Sequence, residues 1–362
     1  MKRSGIAALT IVLLLLFVIS CSPPPGPVSG GPEEPTLTPE PPPPSAFDLI
    51  AVGDVMLDQL TSERLRYYDP EYPFAKIAPL LKEGALVFAN LEGPISDRGK
   101  AEQKLFAFCA APFAVDALTA AGINLVSLAN NHIRDYGVDA LEDTLRLLEE
   151  HGIAYAGAGR DEEQARKGAL LEINGVKTAV LAYSGIFKHG YPAWRAGPEK
   201  AGTIFYPEKE QFIADIESAR QRADVVIVSL HWGDEYTYQV NREQRETGRL
   251  AIESGADLVL GHHSHTPQGI EIYQGKPIVY SLGNFLFYPF SESCCNESFV
   301  LQARIGKGGV EGMRLLPVLL GESQPYPAAG AEGKRMRSLI TGMLDQFKTA
   351  WALDGDHIVI EW

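Results

Sequence analysis

Five of the eight histidines in this 362-residue chain fall in three short segments. These are Asn130-Asn131-His132, His231-Trp232-Gly233 and His262-His263-Ser264-His265. Two acidic residues stand in similar company: Asp54 after Gly53, and Glu92 in Asn90-Leu91-Glu92-Gly93-Pro94. Alone, Asp54 reads as a turn or cap residue and Glu92 as a solvated loop residue. Three His within four positions are seldom structural, and in extended backbone His263 and His265 would point both rings to one side. The set Asp54, Glu92, Asn131-His132, His231 and the His262 to His265 group offers carboxylate oxygen, amide oxygen and imidazole nitrogen. That mixture suits Mn, Fe or Zn better than Ca, which takes oxygen alone, or Cu(I), which takes sulfur. Two such ions about 3.5–4 Å apart are common machinery for hydrolysing phosphate esters. Asp135 lies one helical step beyond His132.

Those residues need elements to position them. Short apolar runs supply strands at 47–52, 85–89, 125–128, 176–183, 225–230, 258–260 and 277–282. Helical spacing of apolar residues marks 114–121, 138–151, 211–223 and 242–254, and a last helix is expected over 335–354. Continuous apolar strands between helices indicate an α/β sheet structure buried on both faces. The candidate ligands cluster at the carboxyl ends of several strands, where ligand sites form in such sheets. Lys188, Trp194 and Arg195 lie in a segment that reads as a solvated loop able to meet an anionic polymer.

The two ends carry other information. Lys2 and Arg3 precede an apolar run, Ile11 to Ile19, that is too short for a transmembrane helix and fits a secretory signal. Val18-Ile19-Ser20-Cys21 resembles the lipobox of bacterial lipoproteins, which makes Cys21 the expected lipidation site. Residues 1–21 are read as a lipoprotein signal peptide. Residues 22–46, rich in Pro, are read as a disordered tether. A domain over 47–300 follows, completed by strands and a helix in 301–362. The protein is thus expected outside the cytoplasm, lipid-anchored to the cell membrane. The net charge is −14, and no Lys/Arg-rich run occurs. Nucleic acid is therefore not an expected partner. Cys109, Cys294 and Cys295 can form one disulfide with one thiol left over, and the pairing is open.

The series Gly53-Asp54-Val55-Met56, Asn90-Leu91-Glu92, Leu128-Ala129-Asn130-Asn131-His132 with Asp135 and Gly137, His231-Trp232-Gly233-Asp234-Glu235, Gly261-His262-His263-Ser264-His265 with Gln268, and Tyr280-Ser281-Leu282-Gly283-Asn284-Phe285 resembles the motifs of the CapA (PgsA) family of poly-gamma-glutamate capsule synthesis proteins. That family is similar in turn to calcineurin-like metallophosphoesterases. The resemblance implies an α/β sandwich of two mixed β-sheets flanked by helices. It implies two divalent ions: Asp54 on the first, Glu92 bridging, Asn131 and His231 on the second, and His263 and His265 contributing one to each. His262 replaces His263 if the turn register differs by one. His132 would be the general acid, with Asp135 managing protons. Two departures stand out. Met56 occupies the His position of the phosphoesterase Asp-x-His motif, and Glu92 replaces the usual bridging Asp. The implied function is biosynthesis or export of poly-gamma-glutamate or a similar anionic polymer, beside membrane-bound synthase subunits. The alternative is a metal-dependent phosphoesterase or amide hydrolase of the cell envelope.

Overall fold

The computed structural model describes residues 26, 45–186, 191–206, 208–288, 293–321 and 324–362. The signal, the tether, Cys21 and Lys188 therefore lie outside the described residues, with Gly26 and the last two tether positions, 45 and 46, within them. Residues Pro44–Trp362 form one compact unit.

The chain enters on β1 (Ala46–Val55), passes α1 (Leu60–Leu65) and α2 (Ala78–Leu81), and returns on β2 (Leu86–Leu91). Helix α3 (Val115–Ala121) leads to β3 (Leu125–Ser127), and α4 (Gly137–Glu150) to β4 (Ala154–Ala156). These four strands run parallel, in the order β1-β2-β3-β4. A short β5 (Ala158–Gly159) and α5 (Glu162–Lys167) precede a second sheet. Its first strands are β6 (Ala169–Ile173) and β7 (Val176–Ser184); β8 (Gly202–Thr203) pairs with β5 in a small sheet of its own. Helix α6 (Lys209–Arg220) gives β9 (Val225–His231), and α7 (Arg242–Glu253) gives β10 (Leu258–His262). The hairpin β11 (Ile270–Tyr273) and β12 (Lys276–Val279) completes the second sheet, in the order β11-β12-β10-β9-β7-β6. Strands β7, β9, β10 and β12 are parallel, and β6 and β11 antiparallel at the edges.

The rest of the chain goes back to the first sheet. β13 (Asn284–Leu286) pairs parallel with β1. β14 (Glu297–Gly306) pairs antiparallel with β1, then β15 (Gly309–Gly321) with β14, and β16 (Gln324–Pro327) with β15. Helix α8 (Gly330–Gln346) is followed by the hairpin β17 (Ala350–Asp354) and β18 (His357–Glu361), which joins the sheet beside β15. The molecule is thus an α/β structure with two mixed sheets flanked by helices, as expected.

Strand alternation explains the layering. Leu49 and Ala51 of β1 face one way, with Phe88 of β2, against Val180, Ile227, Leu258 and Leu260 of the second sheet. Ile50 and Val52 face the other way, with Val87, onto Leu118 of α3 and Leu141, Leu145 and Leu148 of α4. In the second sheet Val226, Val228 and Val259 turn outward to Phe212 and Ile216 of α6 and Ala251 and Ile252 of α7. Residues i and i+2 share a face, so a run that is apolar throughout must be covered on both sides.

One element differs from the sequence expectation. The last helix stops at Gln346, and 350–354 is a strand rather than helix. Asp354 pairs with His357 across the two-residue turn Gly355-Asp356, with Gly355 at φ +60. That turn chemistry, with pairing of β18 to β15, outweighs the helical spacing of the preceding apolar residues.

Candidate metal centre

The two large sheets bring the carboxyl ends of their parallel strands to one place. Asp54 lies within β1, where its N–H donates to Gly283 O at 2.9 Å. Gly53 must be glycine for that approach, since a Cβ there would stand 1.8 Å from the Gly283 carbonyl oxygen. Glu92 follows β2, the Asn130–His132 segment follows β3, His231 ends β9 and His262 ends β10. Asp54, Glu92, Asn131, His132, Asp135, His231, His263 and His265 are all buried.

Candidate ligand atoms of Asp54, Glu92 and His231 lie within 4.8 Å of one another. Asn90 sits among them: its Nδ2 donates to Asp54 Oδ1 at 2.8 Å and Glu92 Oε2 at 3.3 Å. Asn130 in turn donates to Asn90 Oδ1 and Leu91 O. His231 Nε2 stands 2.7 Å from Asn131 Oδ1. His265 Nδ1 is 3.8 Å from Asp54 Oδ2 and 2.9 Å from Asn284 Oδ1. His262 Nδ1 is 3.3 Å from Asp54 Oδ1, and the His263 N–H donates to Asp54 Oδ2 at 3.2 Å. The sequence thus named most of this group, but not Asn90 or Asn284. Both stand in its motif segments, but their partners, Asp54 and His265, lie 36 and 19 residues away.

The two histidines do not lie on extended backbone as expected. Residues after His262 turn, and His263 and His265 take φ of +90 and +57. Their rings still converge, with centroids 6.0 Å apart. Such left-handed conformations are uncommon for non-glycine residues and cluster at functional sites.

On the other side, His132 Nδ1 lies 2.7 Å from Asp135 Oδ2, and its Nε2 is 3.9 Å from Glu92 Oε1. Lys104, which the sequence did not single out, bonds Asp135 Oδ1 at 2.7 Å and Asn131 O at 2.8 Å. Its ammonium also stands 5.2 Å over the ring of Trp194. Trp194 is buried, not part of a solvated loop. Arg195 pairs with Glu208. Among the described residues Cys109, Cys294 and Cys295 form no disulfide, and the adjacent Cys294 and Cys295 sulfurs are 3.9 Å apart.

The electrostatics suit a cation. Burial, together with the charges of Asp54 and Glu235, pushes the Glu92 carboxyl well above the usual range. Burial and the neighbouring histidines hold His231 well below its ordinary value. Burial opposes charge on Asp54, yet His262, His265 and Asn90 bring it net below the ordinary value. Burial lowers His132, and Asp135 only partly offsets this. Glu92 Oε1 is buried with no hydrogen-bond partner among the described residues. A buried oxygen without a partner is costly, and a divalent ion would satisfy it. The donor set of carboxylates, amide and imidazoles therefore fits such an ion.

Met56 supplies no nitrogen to this group. It is fully buried against Phe108 and Phe287, and its sulfur accepts from the Asp58 N–H at 3.1 Å.

The chain is similar to known proteins. The chain is 29% identical over 288 residues to the capsule biosynthesis protein CapA of Bacillus anthracis, covering 78% of this chain and 70% of that one. It is 28% identical over 313 residues to the PGA biosynthesis protein CapA of Bacillus subtilis, covering 86% and 81%. A solved structure of a hypothetical protein from Thermus thermophilus aligns at 15% identity and TM-score 0.40, over 77% of this chain and 96% of that one. The pattern of the bacterial capsule synthesis protein PGA_cap family matches residues 48–289, two thirds of the sequence and every motif of the buried centre, and the chain belongs to that family.

Proposed function

We propose that this protein takes part in the biosynthesis or export of poly-gamma-glutamate or a similar anionic polymer. It does so at the outer face of the cell membrane, tethered through lipid on Cys21 and working beside membrane-bound synthase subunits. The observation that carries the reading is the family match centred on the buried ligand group. Asp54, Glu92, Asn131, His231, His263 and His265 would hold Mn, Fe or Zn. A divalent ion there would polarise a phosphoryl or carbonyl oxygen. Asp135, itself held by Lys104 and the Phe108 N–H, orients the His132 ring. His132 is placed to give a proton to a leaving group. Among the described residues no helix is long and apolar enough to cross a membrane. Attachment in this reading rests on Cys21, and a Cys21→Ser variant recovered in the membrane fraction would contradict it.

The test of function is complementation in a polymer-producing host lacking its own copy of the gene. The intact protein is expected to restore surface polymer, and the His263→Ala/His265→Ala variant is not. Restoration by the double variant would remove the metal centre from the function. The His132–Asp135 pair beside buried carboxylates favours a second reading, a phosphoester or amide hydrolase. Metal-dependent turnover of a small phosphoester that stops in His132→Ala would support it.

A further inference from the structure

Glu235, His263 and His265 form a second group whose ligand atoms all lie within 4.8 Å of one another. It is distinct in membership from Asp54, Glu92 and His231. The Glu235 side chain is 42% exposed and its Oε1 is 3.9 Å from His263 Nε2, while both histidines are buried. Two imidazoles and one carboxylate make a common three-ligand cation site with positions left for water or substrate.

The backbone holds these three together. The Tyr236 N–H donates to Ser264 O at 2.8 Å, tying the loop that carries Glu235 to the loop that carries the histidines. Thr266 Oγ1 and Gln268 Nε2 both donate to Thr237 O, which adds two further ties. Tyr236, next to Glu235, has φ +62, so three residues around the group adopt left-handed backbone. The His265 ring is stacked on Tyr236 and met edgewise by Phe287, with centroids 5.8 and 5.2 Å away. Its contact with Asn284 Oδ1 is of the kind that orients metal-bound imidazoles.

We propose that Glu235 is a metal ligand and that Glu235, His263 and His265 together hold an outer divalent cation beside an inner one on Asp54, Glu92 and His231. This rests on the metal-centre reading above but changes its assignment: both histidines serve the outer ion instead of one serving each. The outer ion would lie at the half-exposed side of the centre. There it would give an anionic substrate a cation to bind on a chain whose net charge is −14.

The test titrates the full chain with Mn2+, following bound metal by elemental analysis and electron paramagnetic resonance. Wild type is compared with Glu235→Gln and Asp54→Asn, and thermal melts confirm folding of each variant. Glu235 is half-exposed, so its variant is expected to fold. Two ions are expected in wild type, with one lost or bound at least tenfold more weakly in Glu235→Gln. The spin-coupled signal of a close pair should vanish in both variants. Two ions at wild-type affinity in Glu235→Gln would overturn the outer site and leave the metal centre standing. No ion in wild type would overturn both.

Discussion

At the scale of single residues, the amide of Asn90 does more for the centre than its neutral chemistry suggests. One Nδ2 group reaches both Asp54 and Glu92, two carboxylates that would otherwise face each other in a buried space. Asn130 fixes that amide by donating to its oxygen. Asn90→Ala is therefore expected to leave the fold intact and lower Mn2+ affinity about 10–100-fold, the usual effect of losing a group that orients ligands. Calorimetric titration measures it, and an unchanged affinity would mean that the strands alone set the carboxylates. Asn90, Asn284 and Lys104 are not legible as site residues in the sequence, for a physical reason. An Asn or Lys in a motif or loop has no chemistry of its own until a partner is known. Their partners, Asp54, His265 and Asp135, lie 36, 19 and 31 residues away. The histidines are legible because three in four residues is unusual without any partner.

At the scale of elements, close approach of strands and pinning of loops decide whether the ligands meet. Gly53→Ala would drive a Cβ into the Gly283 carbonyl and push β1 from the segment leading into β13. The expected cost is about 1–3 kcal/mol by overpacking, read from urea unfolding, together with weaker metal binding. A neutral result would show that these segments separate freely. The loop after β2, which carries Glu92, is pinned to α4 through Asp143. Arg98 Nε and Nη2 donate to its two oxygens at 2.8 and 2.7 Å, and Ser96 Oγ donates at 2.6 Å. Arg98 first, and Ser96 against the effect of burial, hold the Asp143 carboxyl down at about 2. An unfolded Asp titrates at about 3.9. The folded state thus binds this proton more weakly, and the stabilisation is full above about pH 4 and lost as pH falls toward about 2. Asp143→Asn is expected to cost about 1 kcal/mol at neutral pH, given that Arg98 is half-exposed. The difference from wild type should shrink across that acid range in denaturant melts, and a gap that stays constant would rule out this carboxylate. The sheet strands and most helices are legible from apolar runs, since doubly covered strands such as β9 are apolar at almost every position. The terminal hairpin is not, because its strands depend on a distant partner, β15.

At the scale of the whole molecule, the centre is where the two sheets meet, and its energetics belong to the fold. Strands β1, β2 and β3 bring Asp54, Glu92 and Asn131 from one sheet, and β9 and β10 bring the histidines from the other. A cation bound there joins both sheets and exists only when both are folded, so binding must stabilise the native state. With free Mn2+ at about 100 times Kd, the gain is about 2.7 kcal/mol per ion. For a domain of this size that corresponds to a rise in Tm on the order of 5 °C. The expected result is a rise with Mn2+ that a chelator reverses and that the His263→Ala/His265→Ala variant, which keeps only the inner ligands Asp54, Glu92 and His231, shows in reduced form. Salt at matched ionic strength is the control, because a chain of net charge −14 gains some stability from any screening ion. If Mn2+, Fe2+ and Zn2+ all leave Tm unchanged in wild type, the donors are satisfying one another. Asp54, Glu92 and the histidines would then be a hydrogen-bonded seam between the sheets. In that case replacing His231 should destabilise the protein as any buried polar residue does, with no metal-dependent component.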